Sequence, residues 1–197
     1  MSESRSAIPA PNWFVALPVP EGSAWAQASG LPDLPEGMRR LAAADLHLTL
    51  AFLGGCGEER ARAAWTALAS LRHPPALARA GAWRALGSPQ RPSAWGLTLA
   101  EGRQAVADLI DRGRPLALEA AGCAPERREP LPHLTLLRPG RRDAPGHRAW
   151  MAERLARLPL PPLPARLARL ALYTAAPPGT EQRYRIVVHR SLEAPSP

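Results

Sequence analysis

Lysine is absent. All 25 Lys+Arg positions are arginine, so every fixed cation on the chain is a guanidinium. Cysteine is scarce: Cys56 and Cys123 are too few for a disulfide framework and are read as free thiols of a cytoplasmic protein. No run of 18 or more apolar residues occurs, which excludes a membrane-spanning helix from the expected elements. The opening residues hold no basic segment followed by an apolar stretch, so no secretory signal is expected. Residues 1–11, rich in Ser and Pro, are expected to form a disordered tail, as is the short 194–197 end.

What is present is positive charge and a repeat. The formal net charge is +8, and guanidinium groups bind phosphate in bidentate fashion. A basic surface attracts nucleic acid in a salt-dependent way. Genomic base composition can by itself replace Lys with Arg, however, so charge alone assigns no partner.

The repeat is more specific. His47-Leu48-Thr49-Leu50 recurs letter for letter as His133-Leu134-Thr135-Leu136, nearly half the chain away. In a strand, successive side chains point to opposite faces. Each copy therefore places its histidine and threonine on one face and its leucines on the other.

Around the motifs, an apolar strand is predicted over 13–17, closed by Pro18, and a short helix over 21–30. A helix from Glu58 is marked by Ala61, Ala64, Trp65, Leu68 and Leu71, with acidic residues at its N-terminal end, and stops before Pro74. Strands are predicted over 77–86 and 94–99. A helix from Gly102 carries Val106, Leu109 and Ile110, with a kink or stop at Pro115 and a final cap at Gly122. A third helix covers 147–158, and strands over 167–174 and 183–189 close the chain. The expected fold is α+β: a bilobal, pseudo-two-fold duplication over 12–193, with two antiparallel sheets facing a central cleft and helices outside.

A cleft that receives one His-Thr pair from each lobe suits metal-free phosphodiester hydrolysis. One imidazole can take a proton from water and the other can give one to the leaving oxygen, since histidine titrates near neutrality. Threonine hydroxyls on the same face can hold the non-bridging oxygens. A strained cyclic phosphate is the natural substrate, because ring opening relieves strain. A zinc site is the competing chemistry, but the other ligands it needs do not accompany the histidines. Asp45 shares the face of His47. It either orients that imidazole or sits solvated at the start of the strand, the second being the plainer reading. His73, His147 and His189 are read as surface or structural.

The twin motifs, with Phe52-Leu53-Gly54 after the first and Pro132 and Arg138 flanking the second, resemble the 2H phosphoesterase superfamily. More narrowly, the chain is similar to the bacterial and archaeal RNA 2′,3′-cyclic phosphodiesterases, also called 2′-5′ RNA ligases. The strand at 13–19, Trp95-Gly96-Leu97, and the closing strands with Tyr173 and Tyr184 fit that layout. The resemblance implies a bilobal cleft without metal or other cofactor, and ring opening of an RNA 2′,3′-cyclic phosphate end to a 2′-phosphomonoester, with 2′-5′ ligation as the reverse reaction in vitro. It implies that His47 is the proton donor, that His133 is the proton acceptor, and that Thr49 and Thr135 hold the phosphate. Arg138 is a further expected phosphate contact, although strict alternation places it on the leucine face; it reaches the cleft only if the strand ends or bulges first. A monomer acting on an RNA end is expected. The alternatives are an RNA-end-binding module with incidental turnover and a phosphodiesterase for small cyclic nucleotides.

Overall fold

The first strand, β1 (Trp13–Pro18), is an unbroken apolar run and is buried along almost its whole length. It pairs antiparallel with β3 (His47–Gly54) on one side and β8 (Arg169–Ala175) on the other, and β9 (Tyr184–Ser191) completes a four-stranded sheet in the order β3-β1-β8-β9. The second sheet has five strands. Its order is β2 (Met38–Arg40), β6 (His133–Pro139), β5 (Pro92–Glu101), β4 (Ala76–Gly87), β7 (Ala165–Leu167), again antiparallel throughout. This is a computed structural model that describes residues 10–27, 34, 38–88, 92–139, 151, 153, 154, 157 and 160–193. Most of both expected tails and most of the expected helix over 147–158 lie outside the described residues.

Three α-helices are described over their whole length, α1 (Ala24–Gln27), α2 (Glu58–Ala67) and α3 (Arg103–Ala120), and Met151, Glu153 and Arg154 are helical as well. None of the described helices is long and apolar enough to cross a membrane. Pro115 does not stop α3. Val106, Leu109, Ile110, Ala117 and Leu118 form a buried stripe that continues past the proline, and that packing outweighs the missing hydrogen bond. The helix ends where expected: Gly122 takes φ +63°, and the Gly122 and Cys123 N–H groups donate to the Glu119 and Leu118 carbonyls at 2.9 and 2.8 Å.

The leucine faces of the motifs anchor both sheets in one core. Leu48, Leu50, Leu134 and Leu136 are all buried there together with the apolar side of α3. At Gly113 a Cβ would lie 2.8 Å from Leu71 Cδ2 and 3.0 Å from Leu50 Cδ1. The absent side chain thus lets α3 pack directly beneath β3.

The duplication extends into backbone irregularity. In β3, Ala16 pairs with Thr49 and Val15 with Ala51, so Leu50 is the extra residue of a β-bulge. In β6, Gly96 pairs with Thr135 and Trp95 with Leu137, so Leu136 is the extra residue. Both motif strands therefore bulge at the final leucine of the motif. Two consecutive residues are buried at each bulge, Leu50 and Ala51 in one strand and Leu136 and Leu137 in the other.

Candidate active site

Strands β3 and β6 lie against one another, and their two histidines are held in the same way. His47 Nδ1 is 2.6 Å from the Asp45 carbonyl oxygen, and His133 Nδ1 is 2.6 Å from the Leu131 carbonyl oxygen. A carbonyl can only accept, so Nδ1 carries the hydrogen in both rings. That fixes the tautomer and leaves Nε2 of each ring as the atom available for proton transfer. The hydroxyls of Thr49 and Thr135, two residues on and half-buried, have no side-chain hydrogen-bond partner among the described residues. Four expected site residues thus come together with their reactive atoms unengaged.

Asp45 departs from the plainer expectation. It is not solvated but 1% exposed. Its carboxylate accepts the Arg183 N–H at 3.0 and 2.9 Å and the Tyr184 N–H at 3.0 Å. The side chain clamps the start of β9, while the backbone carbonyl of the same residue orients His47. A 3-10 turn over Ala43–Asp45 makes both contacts possible from one residue.

The clamp brings Tyr184 beside the imidazole. Phe14, Tyr173 and Tyr184 surround His47, with ring centroids 4.7, 5.3 and 5.6 Å from it. Phe14 and Tyr173 stack at 4.9 Å with planes 5° apart. These rings form a small apolar cluster with Ala16 and Ala171, on the face opposite the main core. Burial there pushes the His47 pKa from 6.5 down to about 4 against the raising effect of its bond to Asp45, and the charges of Arg138 and His133 push it the same way. Burial also lowers His133, opposed by its bond to Leu131 and reinforced by Arg138 and Arg84. Both shifts favour the neutral imidazole before an anion arrives.

Arg138 is in the cleft, and the bulge is the reason. Leu136 and Leu137 both face the core, so the alternation is reset and the next residue returns to the side of His133 and Thr135. Its charge is felt by both imidazoles. Its Nε is buried without a partner among the described residues, a state that an anionic ligand would relieve. Phe52 holds the matching place after the β3 bulge. It pairs with Phe14 and is 60% exposed. The two halves of the cleft therefore differ at equivalent positions, with a phenyl ring in one and a guanidinium in the other.

Further residues belong to this surface. The short strand β2 is absent from the sequence-based expectation; it sets Arg39 opposite Arg138. Arg84 stands in register with Gly96 and acts electrostatically on His133. The ring of Phe14, Tyr173 and Tyr184 around His47 is likewise absent from that expectation. The one signal for it is parity: Phe14 and Ala16 alternate with Trp13, Val15 and Leu17, which marks a second buried face on β1. Among the described residues, no three His, Cys, Asp or Glu side chains converge as a metal site requires.

A family model described as LigT-like phosphoesterase matches residues 100–180, a stretch that includes the second motif strand. No curated protein matches the chain in sequence. Among solved structures, E. coli LigT complexed with NADP+ is similar with a TM-score of 0.66 and 23% identity, over 94% of this chain and 99% of that one. The complex of E. coli LigT with 3′-AMP gives 0.63 and 25%, over 92% and 98%. The protein TT0787 of Thermus thermophilus gives 0.65 and 25%, over 93% and 98%.

Proposed function

We propose that this chain, a LigT-like phosphoesterase of the 2H superfamily by fold and by the family match across residues 100–180, hydrolyses the 2′,3′-cyclic phosphate at an RNA end. The observation that carries the reading is the matched pair of imidazoles. Each is pinned through Nδ1 to a backbone carbonyl two residues upstream, and each presents Nε2 beside a threonine hydroxyl with no side-chain partner among the described residues. A module that only bound RNA would need neither a base nor an acid in this arrangement. The complexes of E. coli LigT with phosphate and with 3′-AMP support a phosphate-bearing ligand for this type of cleft.

In the reaction, Nε2 of His133 takes a proton from water as the water oxygen bonds to phosphorus. The bond from phosphorus to the 3′ oxygen breaks, and Nε2–H of His47 protonates that oxygen. The product is a 2′-phosphomonoester with a free 3′ hydroxyl. Thr49, Thr135 and Arg138 hold the non-bridging oxygens. This assignment of acid and base follows the family resemblance. His47 is neutral in the free cleft, so the donor must gain its proton as the anion binds. A phosphodiester set between the rings raises both imidazole pKa values and supplies that change. Run backwards with a 5′ hydroxyl in place of water, the same steps join RNA ends through a 2′-5′ bond.

The test is turnover of an oligoribonucleotide ending in a 2′,3′-cyclic phosphate, in EDTA, with the position of the product phosphate assigned by phosphorus NMR. A 2′-phosphate formed in EDTA is expected. A 3′-phosphate, no turnover, or activity lost in EDTA and restored by one divalent ion would overturn the reading.

A further inference from the structure

One row of backbone crosses three strands beside the reacting centre. Thr135 in β6 pairs with Gly96 in β5, and Gly96 pairs with Arg84 in β4. Directly paired residues of an antiparallel sheet point to the same face, so Thr135, the glycine and Arg84 all address the cleft. Gly96 leaves the middle of the row open. A Cβ there would lie 2.2 Å from the Leu134 carbonyl oxygen, so the sheet at this point tolerates only the bare backbone. Two strand spacings, roughly 10 Å in total, separate Thr135 from Arg84. An arginine side chain can reach back across the open floor for much of that distance. Arg84 is exposed, and no carboxylate pairs with it among the described residues.

We propose that Arg84 binds the phosphodiester on the 5′ side of the terminal nucleotide, so that the cleft prefers an RNA strand end to a cyclic mononucleotide. This rests on the reading of the cleft as a 2′,3′-cyclic phosphate site. With the cyclic phosphate between Thr49 and Thr135, the next anion along the strand is the 5′ phosphodiester of the same nucleotide. The row supplies one further cation one nucleotide's reach from Thr135, separated from it by a residue with no side chain. A nucleoside 2′,3′-cyclic phosphate without a 5′ phosphate lacks the group that Arg84 would hold. A pair of cations, Arg39 opposite Arg138, lies on the other side of the motif strand; like charges set directly opposite one another repel, and an anion between them relieves that repulsion.

The test has two arms that fail separately. In the binding arm, a short single-stranded oligoribonucleotide with a 3′-terminal phosphate is titrated into wild type, Arg84→Ala and Arg62→Ala at several salt concentrations. Arg62 lies on α2 in an ion pair with Glu58, so its removal changes net charge equally without touching the cleft. Loss of one phosphate contact should lower the slope of log affinity against log salt by about 0.7 for Arg84→Ala and leave it unchanged for Arg62→Ala. In the kinetic arm, Arg84→Ala should cost the cyclic-phosphate oligonucleotide roughly 10-fold more in kcat/KM than the cyclic mononucleotide, chiefly through KM, since the loss of its charge beside His133 is common to both substrates. An unchanged slope, or equal losses on both substrates, would overturn the role of Arg84. Absence of turnover by wild type on either substrate would overturn the proposed function, while the binding slope would still decide on Arg84.

Discussion

Replacing Asp45 by alanine should destabilise the fold by about 3–4 kcal/mol. Two backbone donors, the N–H groups of Arg183 and Tyr184, hydrogen-bond to its carboxylate. The carboxylate itself is closed to solvent, since Asp45 is 1% exposed, and its removal leaves both donors without their acceptor. Each buried donor left without a partner costs about 1–3 kcal/mol, and two of them together give a midpoint of about 4 kcal/mol. Release of a buried carboxylate offsets part of this. Asp45→Asn keeps the volume and one carbonyl oxygen, and should cost about half as much. Urea unfolding followed by tryptophan fluorescence measures both, with the m-value expected to stay constant. The activity of folded Asp45→Ala should fall as well, because Tyr184 packs edge-on against His47 and its strand has lost its clamp. A loss below about 1 kcal/mol for Asp45→Ala would refute the claim that this carboxylate holds β9 to the active-site strand.

Thr49→Ala and Thr135→Ala should each slow turnover roughly 10–1000-fold, the scale for one lost oxyanion donor, with little change in urea midpoint. The folded pKa of His47, about 4, lies below its ordinary 6.5. The unfolded chain thus binds more protons between those values, so this group's contribution makes stability rise with increasing pH across that window, by about 3 kcal/mol in all; His47→Gln should remove this share of the slope in urea titrations spanning it. With both imidazoles lowered, kcat/KM should trace a bell against pH whose maximum lies below 6.5. Gly96→Ala should impair folding and activity together, because its Cβ would meet the Leu134 carbonyl between His133 and Thr135; a fully active, equally stable variant would show that the β5–β6 spacing can relax.

The alternation of His47, Leu48, Thr49 and Leu50, and of its second copy, is legible because it depends only on the pleat. The same rule misplaces Arg138, since a bulge resets parity and nothing in Leu136-Leu137 marks one. The Leu50-Ala51 bulge in β3 is equally silent, although two apolar residues in a row after each motif are consistent with it. Asp45 reads as solvated from its neighbours in sequence, whereas its partners Arg183 and Tyr184 come from the far end of the chain. Strand β2 is three residues long and is fixed by pairing with β6 rather than by any pattern of its own, so the sequence offers no place for Arg39. For Pro115 the local rule is sound, but the buried stripe on either side of it carries more free energy.

The central claim is a division of labour between two imidazoles, and a cyclic substrate with sulfur in place of the leaving 3′ oxygen tests it most directly. A thiolate leaves without a proton, so loss of the acid should matter little there while loss of the base should matter as before. His47→Ala should recover most of its defect on the sulfur substrate, and His133→Ala should remain crippled. The opposite pattern would exchange the two roles within the same site. Equal recovery of both variants, or of neither, would contradict paired acid and base catalysis in this cleft.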